Sequence, residues 1–449
     1  KSFDSKMRGR GAQRQVEVNA LGRIIRKLPG EEIQMGHDVE LTIDVSLQSF
    51  STKRLAQGNS MYIPVDDPRI QRALTEGRNL PPGTDPVNGY VNVDYKGNVQ
   101  APESGAAVVM DVFNGDVLAL ASTPGFDPNS FSSGLNAADW ENLLSNPRSP
   151  MTNKAVSGQY SPGSTFKMIV CLAALEAGIA HQETKVNCSG MIEFGDSRFH
   201  CWKKDGHGWL NMIDAIEQSC DVYLYELAKR VGIKRIGEMA ARFGFGEAFN
   251  FGLPGENRGL IPTPAWKRET FGQAWHAGET LITSIGQGFI LCTPLQLAVM
   301  TSRLVNGGRP VLPRLVKNER AEIQNRKSLQ LSPQHLHTVL KGMDKVVNGS
   351  HGTARKVVDR SMKFQFGGKS GSVQVKRISL DERESGKLKN KDRPWHERDH
   401  AMFVAFAPLK SPRYVVSVVV EHGGGGSTMA APIARDILAE ALRLNPSKV

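Results

Sequence analysis

Strand-like sequence lies near the two ends of the chain, and helical sequence fills the middle. The segment "AAVVMDVFNGDVLALAST" contains two apolar strands around Asn114-Gly115, the strongest short-range signal for a β-hairpin. Strand patterns return in "MKFQFGGKSGSVQV", "HAMFVAFAP" and "RYVVSVVVEHG", and a helical pattern, "APIARDILAEALRLN", closes the chain. Strands at both ends with helices between them predict an α+β fold, in which one antiparallel sheet carries terminal helices and an inserted helical subdomain.

Three stretches between these strands have helical periodicity. The first runs from Ser164 to about Ala177, the second is "NMIDAIEQSCDVYLYELAKRVG", and the third is "GETLITSIGQGFILCTPLQLAVMTSRLVNGG". Ahead of the hairpin, "DVELTIDVSLQSFSTKRLAQ" predicts a strand followed by a helix. We expect the three later stretches to form the inserted subdomain.

The composition is that of a globular protein, with 40% hydrophobic and 22% charged residues among 449. The net charge of +11 favours anionic partners. Basic residues are spread along the chain rather than gathered in one stripe, which argues against nucleic-acid binding. No apolar run is long enough to span a membrane and the chain does not begin with Met, so we expect any membrane anchor to lie upstream.

Composition predicts two parts of the chain. Residues 1–37 are basic and polar, include "VEVNALGRIIRKL" with the alternation of a short strand and turn, and are interpreted as the end of an N-terminal module. Residues 38–449 are the main domain, with an insertion at about 58–104 that is rich in Gly, Pro and Asn. The charge-dense segment 376–399 is predicted to be a solvated loop between two strands.

A nucleophile site is predicted in "YSPGSTFKMIV", where Ser164 and Lys167 lie three residues apart in the first turn of a helix. Residues at this spacing share a helix face, so the lysine amine can lie beside the serine hydroxyl. The hydroxyl needs a base, and a lysine becomes one where burial or a second cation lowers its pKa. Because Ser-x-x-Lys occurs by chance on many surface helices, this motif alone does not establish a catalytic role.

Two further segments strengthen the catalytic interpretation. Ser219–Asp221 lies inside the second helical stretch, and Lys369–Ser372 lies in a strand pattern whose glycines admit a ligand close to the backbone. Lys369 is the second cation that Lys167 needs, and a lysine next to a serine can hold a carboxylate. Ser-x-x-Lys, Ser-Asp-Asn and Lys-Thr-Gly, in this order, mark penicillin-binding proteins and β-lactamases.

With these motifs the sequence resembles the class B penicillin-binding proteins of the elongation type, the penicillin-binding protein 2 group. The resemblance continues through "LTIDVSLQ", "YSPGSTFK", "SIGQGFILCTPLQLA", "GGKSGS" and "HAMFVAFAP". It implies the penicillin-binding, serine transpeptidase fold, preceded in residues 1–37 by the remnant of a pedestal domain. The chain departs from the family pattern at Asp221, where Asn is common, and at Ser370, where Thr is common.

The resemblance implies a peptidoglycan D,D-transpeptidase of cell elongation, in which Ser164 attacks the carbonyl between the two terminal D-alanines of a stem peptide. Lys167, kept neutral by burial and by Lys369, is the expected base, and Ser219 is expected to relay the proton to the leaving amine. Backbone N–H groups of Ser164 and Ser372 are expected to form the oxyanion hole. The implied catalytic residues are Ser164, Lys167, Ser219, Asp221 and Lys369, and the implied substrate-binding residues are Ser370, Gly371 and Ser372.

The resemblance also implies β-lactams as inhibitors that stay attached to Ser164, and no cofactor for catalysis. The implied partners are a polytopic glycosyltransferase and elongation scaffold proteins, and the implied location is the bacterial periplasm, with an anchor in the inner membrane. Two alternatives stay open. A serine β-lactamase or D,D-carboxypeptidase would share the first and third motifs, and a β-lactam sensor or inactive scaffold would bind without turnover.

The five cysteines divide into two groups. Cys171 and Cys292 lie in apolar helical sequence and are predicted to be buried small hydrophobes. The second group lies in polar sequence and consists of Cys188, Cys201, His207 and Cys220. Three thiolates and an imidazole suit a structural zinc ion, with His200 as the rival ligand, while a disulfide or free thiols are the alternatives. The resemblance adds that some elongation-type relatives carry zinc near the active site, where it could support the loop of Ser219.

Overall fold

The computed structural model describes residues 2–10, 16–28, 34–64, 66–68, 71, 90–93, 99–317, 328–359, 362–376 and 390–447. Its first elements are α1 (Asp4–Arg8) and an antiparallel hairpin of β1 (Val16–Val18) and β2 (Ile24–Lys27), which confirms the predicted strand and turn. The predicted insertion contains a small sheet of β3 (Met61–Pro64), β4 (Tyr90–Val93) and β5 (Val99–Gln100). The rest of the insertion lies mostly outside the described residues, as do residues 377–389 of the charged loop.

The later strands form one large sheet and two small two-stranded sheets. In chain order they are β6 (Gly105–Asp111), β7 (Val117–Thr123), β8 (Val186–Cys188), β9 (Met191–Phe194), β10 (Ser197–His200), β11 (Gly208–Leu210), β12 (Gly367–Val373), β13 (His400–Ala407) and β14 (Tyr414–Val420). The small sheets are β9-β10 and β8-β11. The large sheet is antiparallel, in the order β12-β13-β14-β6-β7. The strands from the C-terminal part of the sequence therefore join the earlier β6-β7 hairpin where β14 pairs with β6. The predicted hairpin at Asn114-Gly115 joins β6 to β7, and Gly115 supplies the positive φ of its turn.

Helices cover this sheet and build the subdomain inserted in it. In chain order they are α2 (Val45–Gln57), α3 (Asn129–Ser133), α4 (Ala137–Ser145), α5 (Lys154–Ser157), α6 (Lys167–Glu176), α7 (Met212–Glu217), α8 (Asp221–Arg242), α9 (Pro264–Phe271), α10 (Ala277–Ser284), α11 (Pro294–Val305), α12 (Pro333–Asn348) and α13 (Ala431–Leu444). Helices α2 and α13 pack against each other and against the sheet, and α11 packs against β6, β13 and β14. Every residue of β6 and β14 is therefore buried. Within the described part of the chain, no helix has the length and apolarity needed to cross a membrane.

The inserted subdomain is centred on α6, which packs against α8 and α12 and whose residues are nearly all buried. Two predicted helical stretches are each broken in the structure. The second stops at Glu217 and restarts at Asp221, with Cys220 as the N-cap. The third was predicted as one helix and consists of α10 and α11, because Thr293 and Gln296 form a capping box that starts a new helix. The strand predicted before α2 is reduced to a single bridge between Leu41 and Val316.

Candidate active site

Ser164 lies in a 3₁₀ turn, Gly163–Phe166, that leads directly into α6. Because a 3₁₀ turn has three residues per turn, Ser164 and Lys167 lie on the same side of it. Gly163 has a positive φ of 54°, and a Cβ at Gly286 would lie 2.0 Å from the carbonyl oxygen of Gly163. These two glycines allow the backbone of the "SIGQG" loop to pack against the turn. The Ser164 side chain is half-buried, and its hydroxyl has no hydrogen-bond partner among the described residues.

Lys167 is completely buried and faces the segment that joins α7 to α8. Its Nζ donates to the carbonyl oxygen of Ser219 at 2.7 Å and to Asp221 Oδ1 at 2.7 Å, and it lies 3.2 Å from Ser219 Oγ. Asp221 compensates the charge of Lys167 as an ion pair. The amine is thus directed to Ser219 and Asp221 in this structure, and it is not hydrogen-bonded to Ser164.

Lys369 lies on β12 and is also completely buried. Its Nζ donates to Ser219 Oγ at 2.9 Å and to the carbonyl oxygen of Ser370 at 2.9 Å, so both lysine amines meet at one hydroxyl. Burial, with the like charge of Lys167, holds the pKa of Lys369 well below that of a free lysine. The motifs predicted that Lys369 keeps Lys167 neutral. In the structure Lys167 forms an ion pair with Asp221, and Lys369 is the lysine whose pKa is lowered by burial. The neutral state of Lys167 stays a prediction.

The segment between α7 and α8 holds Ser219 in an uncommon backbone conformation, with φ of 54° at a residue that is not glycine. Such conformations persist where surrounding contacts enforce them, and they cluster at functional sites. Asp221, two residues after Ser219, helps to hold this segment in place, since its Oδ2 accepts from the backbone N–H of Trp202 at 2.9 Å. Burial raises the pKa of the Asp221 carboxyl, and Lys167 opposes that shift. Both Asp221 oxygens are therefore used inside the protein.

The remaining predicted residues lie along β12, which is an edge strand of the sheet. The 3₁₀ turn of Ser164 packs against this strand, and a Cβ at Gly371 would lie 3.2 Å from the carbonyl oxygen of Pro162. Ser370 Oγ lies 3.0 Å from Thr353 Oγ1. Ser372 Oγ accepts from the backbone N–H of Gly426 at 3.1 Å. An edge strand has backbone groups without a partner strand, and an extended peptide can pair with them.

The structure brings together every predicted residue of the first and second motifs and of β12, and it adds residues that the sequence analysis missed. Thr353 is next to Ser370, Gln287 Nε2 lies 3.4 Å from the carbonyl oxygen of Ser372, and Trp202 contacts both Ser219 and Asp221. Gln287 belongs to the quoted "SIGQG" segment, so its position could have been singled out. Thr353 lies in a segment with no local signal of a site. Trp202 directly follows the candidate zinc ligand Cys201, but no motif includes it.

A Cys/His cluster, formed by Cys188, Cys201, His207 and Cys220, adjoins this centre. One ligand atom from each of its four residues lies within 4.8 Å of all the others. His207 Nδ1 is 3.5 Å from Cys188 Sγ and 3.6 Å from Cys201 Sγ, whereas the rival residue, His200, is not part of the group. All five cysteines are free and buried in the described structure, including Cys171 and Cys292 as predicted. Hydrogen bonds from Cys220, opposed by burial, lower the pKa of Cys188 to about 6.

The geometry defines a site for serine acyl transfer. A serine without a hydrogen-bond partner in the described structure lies on a turn beside an edge strand, and two buried amines converge on a second serine. The chain belongs to the family of penicillin-binding protein transpeptidase domains, whose model matches residues 105–439. The predicted α+β transpeptidase fold is thereby confirmed.

Within this family the chain is similar to the peptidoglycan D,D-transpeptidases called MrdA. It is 32% identical over 446 residues to the protein of Haemophilus influenzae, covering 97% of this chain and 61% of that protein. It is 31% identical over 447 residues to the protein of Escherichia coli K12, covering 97% of this chain and 62% of that protein. The chain thus spans about three fifths of the length of these relatives.

Solved structures of penicillin-binding protein 2 are similar to the whole chain. The Pseudomonas aeruginosa protein in complex with WCK 5153 has a TM-score of 0.73 and 32% identity, covering 95% of this chain and 82% of that one. The Helicobacter pylori protein in complex with MreC has a TM-score of 0.78 and 28% identity, covering 99% of this chain and 71% of that one. The resemblance to the penicillin-binding protein 2 group, made from the motifs, is confirmed.

Proposed function

We propose that this chain is the D,D-transpeptidase part of a cell-elongation enzyme that crosslinks peptidoglycan stem peptides and is acylated by β-lactams. The observation that carries the proposal is the meeting of Lys167 and Lys369 at the Ser219 hydroxyl, beside the Ser164 turn. The similarity to MrdA proteins supports the reaction, the substrate and the role in elongation.

Acylation begins when Ser164 Oγ attacks the carbonyl carbon between the two terminal D-alanines of the donor. The hydroxyl proton passes to Lys167, so Lys167 must first lose a proton. Lys369 can accept it across the Ser219 hydroxyl, because both amines contact that hydroxyl. A substrate carboxylate next to Lys369 would favour this transfer, since it stabilises the charged form of Lys369.

The C–N bond then breaks, and the proton held by Lys167 reaches the leaving amine through Ser219, which releases D-alanine and leaves an ester on Ser164. The amine of a second stem peptide attacks the ester, forms the new amide and returns the proton to the Ser164 oxygen. We assign the oxyanion hole to the backbone N–H groups of Ser164 and Ser372. Ser370, with Lys369, would hold the donor carboxylate, and Gly371 allows β12 to lie close to the Ser164 turn.

We propose that the Cys/His cluster holds a structural zinc ion. With Zn–S of about 2.3 Å and Zn–N of about 2.0 Å, a tetrahedral site separates sulfur from nitrogen by roughly 3.6 Å. The distances from His207 Nδ1 to Cys188 Sγ and Cys201 Sγ, 3.5 and 3.6 Å, fit that value. Four protein ligands would close the site, so the ion would stabilise the loop of Ser219 and take no part in the reaction.

We further propose a division at residue 37, with residues 1–37 as the end of a pedestal domain and residues 38–449 as the transpeptidase domain. A location in the periplasm, anchored in the inner membrane, suits a substrate in the cell wall. One structural neighbour is a complex with MreC and another is a peptidoglycan synthase complex that coordinates polymerization and crosslinking. They support a scaffold protein and a glycosyltransferase as partners of this protein.

The test is transfer from a donor pentapeptide ending in D-Ala–D-Ala to an acceptor stem peptide, followed by mass spectrometry. We expect release of D-alanine and a donor–acceptor product, neither of which the Ser164→Ala variant forms. Hydrolysis of the donor without transfer would identify a carboxypeptidase, and rapid turnover of penicillin would identify a β-lactamase. A stable penicillin adduct without any peptide reaction would identify a sensor. Each of these three outcomes contradicts the proposal.

A further inference from the structure

Trp202 links the Cys/His cluster to the buried lysines. It directly follows Cys201, and its ring packs edge-on against His207, with ring centroids 5.4 Å apart. Its backbone N–H donates to Asp221 Oδ2 at 2.9 Å, and its indole Nε1–H donates to the carbonyl oxygen of Ser219 at 3.1 Å. One residue thus contacts both ends of the Ser219–Asp221 segment.

These two acceptors are the same groups that hold Lys167. Lys167 Nζ donates to the Ser219 carbonyl oxygen and to the other oxygen of Asp221, each at 2.7 Å. Trp202 therefore shares the Ser219 carbonyl oxygen with Lys167 and binds the second oxygen of the Asp221 carboxylate. Since Ser219 has a positive φ, its carbonyl direction depends on such external contacts.

The exposure of Trp202 argues against an ordinary role in the core. The residue is 59% exposed, so the ring buries little apolar surface. The indole N–H nevertheless has good acceptors, with the Gln218 carbonyl oxygen at 3.2 Å as a second one. A large exposed ring whose polar atom is fixed on the catalytic loop is better explained by positioning than by packing.

We propose that Trp202 is a positioning residue for acylation, which fixes the Ser219 carbonyl and the Asp221 carboxylate and thereby the direction of the Lys167 amine. This inference rests on the proposed function. Trp202 acts through Lys167 and Ser219. Its loss is expected to slow the chemical step while leaving the initial binding of a β-lactam unchanged.

The test compares Trp202→Phe with the matched control Trp209→Phe. Trp209 is 69% exposed on β11, close in sequence to the same His207, and its indole has no hydrogen bond to the catalytic loop in the described structure. Stopped-flow acylation by a fluorescent penicillin separates the dissociation constant of the first complex from the first-order acylation rate, and thermal melting reports stability. Phe keeps an aromatic ring and the backbone N–H, and it removes the indole donor together with the five-membered ring, a loss that Trp209→Phe shares.

We expect the acylation rate of Trp202→Phe to fall about tenfold, the effect of roughly one lost hydrogen bond, with an unchanged dissociation constant and melting temperature. Trp209→Phe should behave like the parent. An unchanged acylation rate in Trp202→Phe would overturn the inference, as would a fall in rate matched by weaker binding and a lower melting temperature, since that pattern means a structural role. A parent protein that is not acylated would contradict the proposed function itself, and the inference with it.

Discussion

The lysine centre (Lys167, Ser219, Asp221 and Lys369) and the Cys/His cluster adjoin each other but are organised in opposite ways. The cluster turns four ligand atoms toward one point, within 4.8 Å of one another. The lysine centre places two buried amines on one hydroxyl and holds Ser219 at a positive φ. The first arrangement is closed and suits stability. The second contains like charges and backbone strain, which persist only where neighbouring structure enforces them.

The comparison indicates that the Cys/His cluster supports the segment on which the lysine centre depends. Cys220 is the N-cap of α8 and lies between Ser219 and Asp221, so the cluster fixes the segment that the lysines need. Cys201 Sγ also accepts from the backbone N–H of Asp221 at 3.4 Å. Changes in the lysine centre should therefore affect the reaction first, and changes in the cluster should affect stability first.

The largest effect is expected from Lys167→Met. Loss of the base should reduce acylation by about 10³-fold, and the unpaired, buried Asp221 should lower the free energy of unfolding by about 3 kcal/mol. Chemical denaturation and penicillin acylation measure the two effects. The double variant Lys167→Met/Asp221→Asn removes the unpaired charge, so it should regain most of the stability and none of the activity. Recovery of acylation in the double variant would contradict the role of Lys167.

Lys369→Met should reduce acylation about a hundredfold, because it removes the amine that accepts a proton and holds the carboxylate. Its effect on stability should depend on pH. The pKa of Lys369 is lowered in the folded state, so between that pKa and the free value near 10.5 the unfolded chain binds more protons. Lys369 thus costs stability at low pH, and this cost disappears as pH rises toward 10.5. Melting curves of parent and variant across pH should converge at high pH, and a constant difference would contradict the lowered pKa.

Cys201→Ser should lower the free energy of unfolding by about 2–4 kcal/mol and reduce the zinc content of the protein, since loss of a metal site is among the larger single-residue effects. The control is Cys292→Ala, which changes a buried cysteine outside the cluster and should leave zinc unchanged. Metal analysis and denaturation measure both. Equal zinc content in the two variants would exclude the cluster as the metal site.

The smallest effect is expected at Ser370. Ser370→Ala should lower the second-order rate of acylation about tenfold through the loss of one hydrogen bond to the substrate carboxylate. Ser370→Thr keeps the hydroxyl and restores the residue common in the family, so its rate should stay close to that of the parent. Equal rates for the Ala variant and the parent would remove Ser370 from the substrate site.

Much of the fold could be predicted because its signals are local. The Asn114-Gly115 hairpin, the apolar strands β13 and β14 and the helix α13 have strong patterns in sequence. The break between α10 and α11 was missed although Thr293 and Gln296 carry the spacing of a capping box. The apolar run Phe289–Cys292 directly before the cap resembles helical sequence and hid the break. The short strands β8 to β11 have only three or four residues each, too few for a periodic pattern.

For the candidate site, the sequence predicted the residues of the motifs but not the contacts among them. Its three motifs can be recognised from their residue types and their order along the chain, so the amino-acid sequence is enough to select Ser164, Lys167 and Lys369. Contacts between distant segments could not be predicted in this way. The indole of Trp202 on the Ser219 carbonyl has no counterpart in local sequence. The same holds for the ion pair of Lys167, which depends on Asp221 being directed toward that amine.

The central claim is that Ser164 is the nucleophile served by the lysine centre. The most direct measurement is the intact mass of the protein during incubation with penicillin, followed by digestion to map any adduct. We predict a single, persistent adduct on Ser164 in the parent and no adduct in Ser164→Ala, with the two proteins equally stable. An adduct on another residue, or an unchanged adduct in Ser164→Ala, would contradict the account.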